Sequence, residues 1–585
     1  MQAVLTILDT TGIQDYIFGS NRLRENVVAS HLVELATHDW VAEVLPHPHN
    51  LDALHAVRAG WHLEDEASRQ AELIYRGGGN VVLLFRSLEV AQATVGRLSL
   101  LLLARAPGLH LVAAHEEFLF RDEATATLSA DASLPQRVQA IGGDEGVYAR
   151  LMQQLARAKQ RQRSSLGLLA QSVVQTCRST GLPAVASDPE EPTRPVSAAV
   201  AAKVNRVRRD EADDRLRTLL REAAGDDPAV LQEIEATYAL SRDVDDLGRS
   251  HGDLSYLAVV HADANGMGLR FKALMDQYAQ PHQNRTCLNQ LRALSQSLND
   301  AGARALRTTV RLMLEAFRQP HFKAFCEGLT TTRQDGQRTF YLPFRPLVFG
   351  GDDVTFVCDG RLGLTLAATY LTQFAHEARH LADGKPAFAC AGVAIVKTHY
   401  PFARAYELCD ALCKRAKHLV RETSASGEGT ALDWYLATTG IMADLDDLRA
   451  RYYRVPQGHL ELRPVRLDGT GWRTWANVDQ TLQTLLYDEQ WRDRRNKVVA
   501  LREALRKGAQ ATERFRVMYG LGPLPPLEAV PQDGYRMTGW ITDDGEATDP
   551  ASPQPGHCAY FDAVEALDCY LPLTLRSLSP TEAAS

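Results

Sequence analysis

The stretch Pro346-Leu-Val-Phe-Gly-Gly-Asp-Asp-Val-Thr-Phe-Val-Cys358 sets two apolar runs on either side of Gly350-Gly351-Asp352-Asp353. Aromatic and β-branched residues on both flanks predict two strands, and the glycines permit a tight bend between them. A second stretch, Val259-Val-His-Ala-Asp-Ala-Asn-Gly-Met-Gly268, ends another apolar run on Asp263. With these strands side by side, the carboxylates of Asp263, Asp352 and Asp353 converge. Hard oxygen ligands with open positions suit Mg²⁺ or Mn²⁺, which bridge the phosphate oxygens of a nucleotide. The pattern points to phosphoryl transfer. A Gly-Gly-Asp-Asp turn alone also reads as a β-turn with solvated carboxylates; the flanking strands and the second Asp-bearing strand end weigh against that.

Around these two stretches the chain divides into four parts. Residues 2–8 (QAVLTIL) predict a strand ending at Asp9, followed by a helix from Ile13 to about Val44. A strand at Asn80–Phe85 follows Gly77-Gly78-Gly79, and a helix at 88–105 precedes a strand near 109–114. Residues 1–120 thus read as one α/β unit. Residues 121–249 read as a helical linker, with charged helical patterns over 145–180 and 197–248 around an exposed loop, SDPEEPTRP, at 187–195. Residues 250–440 form a second α/β unit, with a strand from 254, a helical region to about Phe317 and a hairpin turning at Asp335-Gly336. The remainder, 441–585, is mainly helical: 478–520 predicts helix, with Pro-rich segments at 521–531 and 548–555. Two units of similar plan suggest a divergent duplication.

Composition sets the class. At 585 residues, 45% hydrophobic and 23% charged, the chain exceeds a single core and reads as a globular protein of several domains. A net charge of -8 argues against whole-molecule attraction to nucleic acid or anionic membrane. The leucine-rich run 98–104 is far short of the roughly 20 residues of a membrane span, and the N-terminus lacks a signal-peptide pattern, so a cytoplasmic protein with no membrane partner is expected. Nine scattered cysteines without a CxxC pair support neither a disulfide framework nor a zinc ribbon.

The run DANGMG (263–268) with Phe271-Lys272, the GGDD hairpin, and the helix ELCDALCKRAKHLVR (407–421) together resemble a known palm domain. It is the one shared by GGDEF-type nucleotide cyclases and the Cas-ten family, the large subunit of type III CRISPR effector complexes. ILDTTGIQDYIFGSNRLRENVVASHLVE (7–34) and YRGGGNVVLLF (75–85) resemble the first of that family's two palms. GIQDYIF with GGGN favours the CRISPR family over single-palm cyclases. The resemblance covers about 1–120 and 250–440 and implies two ferredoxin-like palms, a helical linker and a helical C-terminal domain.

It also implies roles. Asp263, Asp352 and Asp353, with the carbonyl of Ala264, would hold Mg²⁺ or Mn²⁺. Asn265, Gly266, Gly350, Gly351, Lys417, Arg421, Gly78 and Gly79 would bind nucleotide. Lys417 would contact the triphosphate, with Arg421 one helical turn on. The first palm has Asp9 but Gly77-Gly78-Gly79-Asn80 in place of hairpin acids, so it would bind a nucleotide without catalysing. The implied activity is conversion of nucleoside triphosphates, ATP foremost, into a cyclic oligonucleotide second messenger, with CRISPR effector subunits and target RNA as partners. The rivals are a stand-alone synthase of a cyclic dinucleotide and a non-catalytic scaffold subunit that keeps GGDD as a relic.

Departures from the family shape the expectation. Cas-ten proteins often begin with an HD nuclease domain, whereas the first palm here starts within a few residues of Met1. His38-Asp39 lies in a predicted helix without spaced metal partners, so DNA cleavage is not expected. The inter-palm zinc site of many relatives is not expected with Cys177 alone in that region. His47 and His49 read as solvated loop imidazoles, and Cys409 and Cys413 as packed helix residues. The basic clusters at 158–163, 203–210 and 492–497 read by themselves as solvated helix faces, and it is the resemblance that implies an RNA path along them.

Overall fold

The computed structural model describes residues 1–120, 139–161, 173–225, 228–247, 255–332, 336, 338–424, 426–437, 444–469, 471–530, 533–542 and 556–576. It opens with β1 (Gln2–Thr11), α1 (Ile13–Phe18) and α2 (Leu23–Thr37). Then come β2 (Ala71–Gly77), β3 (Asn80–Phe85), α3 (Leu88–Arg105) and β4 (His110–Leu119). The sheet runs β2-β3-β1-β4, every pairing antiparallel, which is the ferredoxin-like βαββαβ plan. Ala3 to Leu8 of the central β1 are buried on both faces, which is why it reads as an unbroken apolar run.

The second sheet repeats the plan. It is built from β5 (Tyr256–Ala264), α6 (Met267–Gln277), α7 (Asn284–Ala316), β6 (Phe344–Phe349) and β7 (Asp353–Asp359), then α8 (Gly363–Glu377) and β8 (Ala389–Lys397). Between the two units lie α4 (Val147–Arg161) and α5 (Arg206–Ala224). The core order is β6-β7-β5-β8, matching β2-β3-β1-β4 strand for strand. After β8 come α9 (Phe402–Thr423) and β9 (Ala431–Ala437), which pairs parallel to β8. The C-terminal part carries α10 (Trp475–Tyr487), α11 (Arg495–Arg506), α12 (Ala509–Tyr519) and α13 (Phe561–Ala566), with a small four-stranded sheet.

The two palms lean on each other reciprocally. α7, from the crossover after β5, packs on β2 of the first palm, and α2, from the crossover after β1, packs on β6 of the second. Buried ion pairs fix the first contact: Arg285 bonds Glu64 and Glu72, and Arg292 reaches Glu72 at 2.7 Å. At the second, Ser30 Oγ donates to the Leu347 carbonyl.

Several sequence expectations need correction. Of the helix foreseen over 145–180, Val147–Arg161 is helical and 174–187 holds turns and short bridges, while 162–172 lie outside the described residues. The segment 478–520 is three helices rather than one, interrupted after Tyr487 and again at Gly508, whose φ of 98° ends helical geometry. The 13–44 region breaks at Gly19 and His38. The loop 187–195 is not merely exposed: Asp188 and Arg194 are buried, and Arg194 bonds Asp188 at 2.8 Å and buried Glu25 at 2.6 Å. A short-range charge pattern cannot reveal that its partner lies on α2. Of the hairpin foreseen at Asp335-Gly336, the strands Thr330–Thr332 and Arg338–Tyr341 pair antiparallel. Asp335 lies outside the described residues, as do Gln162 and Arg163 of the first basic cluster. No helix among the described residues is long and apolar enough to cross a membrane.

Candidate active site

The site lies at the end of the second sheet where β5, β7 and β8 meet. Asp263 stands opposite Asp353 in the β5–β7 register, so their side chains share a face, and Asp352 precedes them at the hairpin tip. The Asp352 carbonyl accepts the Ala264 N–H at 3.0 Å, tying the tip to the end of β5. α9 supplies the cation: Lys417 Nζ donates to Asp263 Oδ2 at 2.5 Å and to the Ala264 carbonyl at 2.9 Å.

That reach depends on how closely α9 crosses β8. A Cβ on Gly392 of β8 would lie 2.0 Å from the Cys409 carbonyl oxygen and 2.6 Å from the Cys413 N, so only glycine admits the helix at this depth. Cys409 and Cys413 are the small buried residues on the facing side, and Cys413 Sγ donates to the Cys390 carbonyl at 3.2 Å. Beneath the carboxylates, His261 is buried. Its Nδ1 lies 3.1 Å from both Asp353 Oδ1 and Thr355 Oγ1, and its Nε2 lies 4.0 Å from Asp410. Its ring meets Tyr406 edge-on, and the Tyr406 hydroxyl accepts from Gln14 of the first palm at 3.0 Å.

The electrostatics follow from crowding. Burial and the neighbouring charges of Asp263 and Asp353 raise the Asp352 pKa to about 6. Burial lowers the His261 pKa, but Asp353, Asp263 and Asp410 outweigh it and leave the imidazole above its usual range. Excess negative charge with oxygen donors fits a hard divalent cation, and the position already draws in one cation, the Lys417 ammonium. Among the described residues, no three His, Cys, Asp or Glu side chains form a preformed metal cage. Asp353 leans toward His261, and two oxygens of the expected ligand set carry Lys417.

The remaining expected residues divide. Gly350 and Gly351 have φ of 133° and 103°, and nothing stands within 4 Å of a Cβ on Gly350, leaving open backbone at the tip. Gly266 opens α6 with φ 67°. The Asn265 amide instead bonds the Gly429 carbonyl at 2.8 Å, holding the loop. Arg421 is exposed near the end of α9. The two glycine hairpins face each other: a Cβ on Gly351 would lie 3.5 Å from the Gly78 N, and one on Gly78 would lie 3.9 Å from Asp352 Oδ1. Gly79 is packed on Ile13 and Thr10 rather than open.

The first palm carries a counterpart of the Lys417 contact. Lys159 of α4 pairs with Asp9 at the end of β1, as Lys417 of α9 pairs with Asp263 at the end of β5. The sequence reading assigned α4 to the linker, yet it packs on β4 and β1 as α9 packs on β8 and β5. Sequence reasoning also missed His261 and Asp410. Strand period two places His261 on the face of Asp263, and Asp410 precedes Lys417 by two helical turns.

Residues 256–425 match the family model for the second palm domain of Cas10/Cmr2. The chain carries a Cas10/Cmr2 second palm. This palm contains every acidic residue of the site and Lys417. Comparison with curated proteins gave no match. Among solved structures, a Csm1–Csm4 cassette in complex with cA4 aligns over 98% of this chain and 70% of its own, at 13% identity and a TM-score of 0.47. A Csm1–Csm4 cassette in complex with one ATP aligns over 97% and 70%, at 14% identity and 0.45. Csm1 from T. onnurineus aligns over 96% and 68%, at 14% identity and 0.42.

Proposed function

We propose that the chain is a metal-dependent nucleotidyltransferase that joins nucleoside triphosphates, ATP foremost, into a cyclic oligonucleotide within a CRISPR-type antiviral effector. One observation carries this reading. Asp263 and Asp353 oppose each other on adjacent strands of a Cas10/Cmr2 palm, beside Asp352 at an open glycine tip, with an ammonium from α9 on Asp263.

Asp263, Asp352, Asp353 and the Ala264 carbonyl would hold Mg²⁺ or Mn²⁺, which when bound neutralises the triphosphate and activates the attacking hydroxyl. Gly350, open at the tip, lets phosphate approach the backbone. Lys417 transfers its ammonium from Asp263 to the incoming triphosphate, a shift of one charge between neighbouring anions. Crowding and burial penalise the charged form of Asp352, and arriving positive charge relieves that penalty. The facing first palm, with Asp9 and Lys159 but glycines at its hairpin, would hold the second nucleotide without reacting. The 3′- or 2′-hydroxyl of one nucleotide then attacks the α-phosphorus of the other, and pyrophosphate leaves in line. His261 orients Asp353 from below.

The test is incubation of the chain with Mn²⁺ and labelled ATP, alone and with effector subunits and target RNA. Pyrophosphate and a phosphodiester product are expected, and Asp352→Ala with Asp353→Ala abolishes both. Product mass separates a larger ring from a cyclic dinucleotide. No product from any of the four triphosphates under either condition refutes the proposal.

A further inference from the structure

Away from the palm cleft, a cavity of about 670 Å³ opens between α5 and the small sheet of Tyr238-Ala239, Thr330–Thr332 and Arg338–Tyr341. One wall is a single face of α5, where Arg217, Leu220 and Arg221 fall at helical spacing. Tyr341 and Tyr238 come from the sheet, and Ile234 and Leu240 add apolar surface. Arg242 closes the third side, its backbone N–H bonded to Asp246 Oδ2 at 3.1 Å.

The cavity is cationic in a chain of net charge -8. Among the described residues lining it, Asp246 is the one carboxylate, and its Oδ2 also takes the Asp243 N–H. Behind the wall, buried Asp213 serves two guanidiniums: Oδ1 bonds Arg345 at 2.7 Å, and Oδ2 lies 3.2 Å from Arg242. Arg345 is 2% exposed and its Nη1 has no hydrogen-bond partner among the described residues. Burial lowers its pKa, and the nearby charges of Arg242 and Arg217 add to that against Asp213. The Arg217–Asp214 pair, 2.8 Å long, is half-exposed or more on both sides, so it yields readily to a stronger anion.

Guanidiniums recognise phosphate in a planar fork, and tyrosine faces stack on bases without regard to sequence. The volume suits one nucleotide. We propose that this cleft is a second nucleotide-binding site, with a phosphate held by Arg217 and Arg242 and the base stacked on Tyr341. The occupant is a free nucleoside phosphate or one unit of a single-stranded RNA. The site is independent of the palm chemistry.

The test uses the full chain with Lys417→Ala, which weakens the palm cleft. The probes are AMP, followed by calorimetry, and a short fluorescein-labelled single-stranded RNA, followed by anisotropy. Arg217→Glu and Tyr341→Ala should each weaken binding roughly tenfold or more, while Arg97→Glu, an exposed helix position on α3, leaves it unchanged. Melting temperatures close to the parent's show that the variants are folded. Loss for RNA alone assigns the cleft to a strand, and loss for AMP alone assigns it to a free nucleotide. Equal affinity in parent and both variants overturns the proposal. So does displacement of the RNA by polyglutamate, which would make the cleft a general acidic-peptide surface.

Discussion

The Asp352 carboxyl gains a proton more readily than an ordinary aspartate because it is partly desolvated beside two other carboxylates. Its raised pKa means that the folded protein binds more protons than the unfolded chain between about pH 4 and 6. Stability from this group therefore falls as pH rises through that window. Without divalent metal, Asp352→Asn should raise the melting temperature at pH 7.5 but not at pH 4, with a ceiling of about 3 kcal/mol that residual exposure trims. A scanning-calorimetry series across pH checks this; an Asn variant no more stable than the parent at pH 7.5 would discard the charge-crowding account. Lys417 gives a second prediction. Lys417→Ala should weaken a non-hydrolysable ATP analogue by about 1.5–3 kcal/mol, the range for a charge-assisted bond, while binding of adenosine is unchanged. Calorimetric titration with both ligands decides, and equal losses would mean that the lysine holds the fold rather than the phosphates.

At the scale of elements, the approach of α9 to β8 is decisive. Gly392→Ala forces a Cβ against the Cys409 carbonyl and should cost about 1–3 kcal/mol by overpacking. It should also move Lys417 off Asp263 and lower analogue binding. Gly96→Ala on α3, with nothing within 4 Å of the added methyl, should instead stabilise by roughly 0.5–1 kcal/mol. Denaturant midpoints of the two variants test the contrast, and a neutral Gly392→Ala would remove the close crossing from the account. Elements were also where the sequence was most and least legible. The strands around GGDD and the run ending at Asp263 are mostly apolar and bounded by glycine, so their type could be read from the residues. The helix breaks at Gly508 and after Tyr487 could not, because the periodicity is nearly continuous across them, although α10 and α11 both turn to pack on α13. Gly392 carries no local signal, since its neighbour lies on a helix further along the chain.

Across the whole molecule, two copies of one sheet plan face each other through their glycine hairpins, and α7 and α2 exchange support between them. The duplication was legible as two similar strand-helix patterns, but the reciprocal packing was not, since it depends on pairs separated by hundreds of residues. Arg285 of α7 holds Glu64 and the fully buried Glu72 of the first palm. Arg285→Ala leaves Glu72 with Arg292 and should cost about 3–5 kcal/mol, lowering the melting temperature. A change within experimental error would show that the Arg285 ion pairs do not hold the palms together. The most direct test of the central claim is an experimental structure of the chain with Mn²⁺ and an ATP analogue that cannot be cleaved. Mn²⁺ is predicted at Asp263, Asp352 and the Ala264 carbonyl, with the triphosphate along Gly350-Gly351 and Lys417 turned from Asp263 to the phosphates. Analogue bound with Lys417 still on Asp263 and no Mn²⁺ among the three aspartates would contradict it.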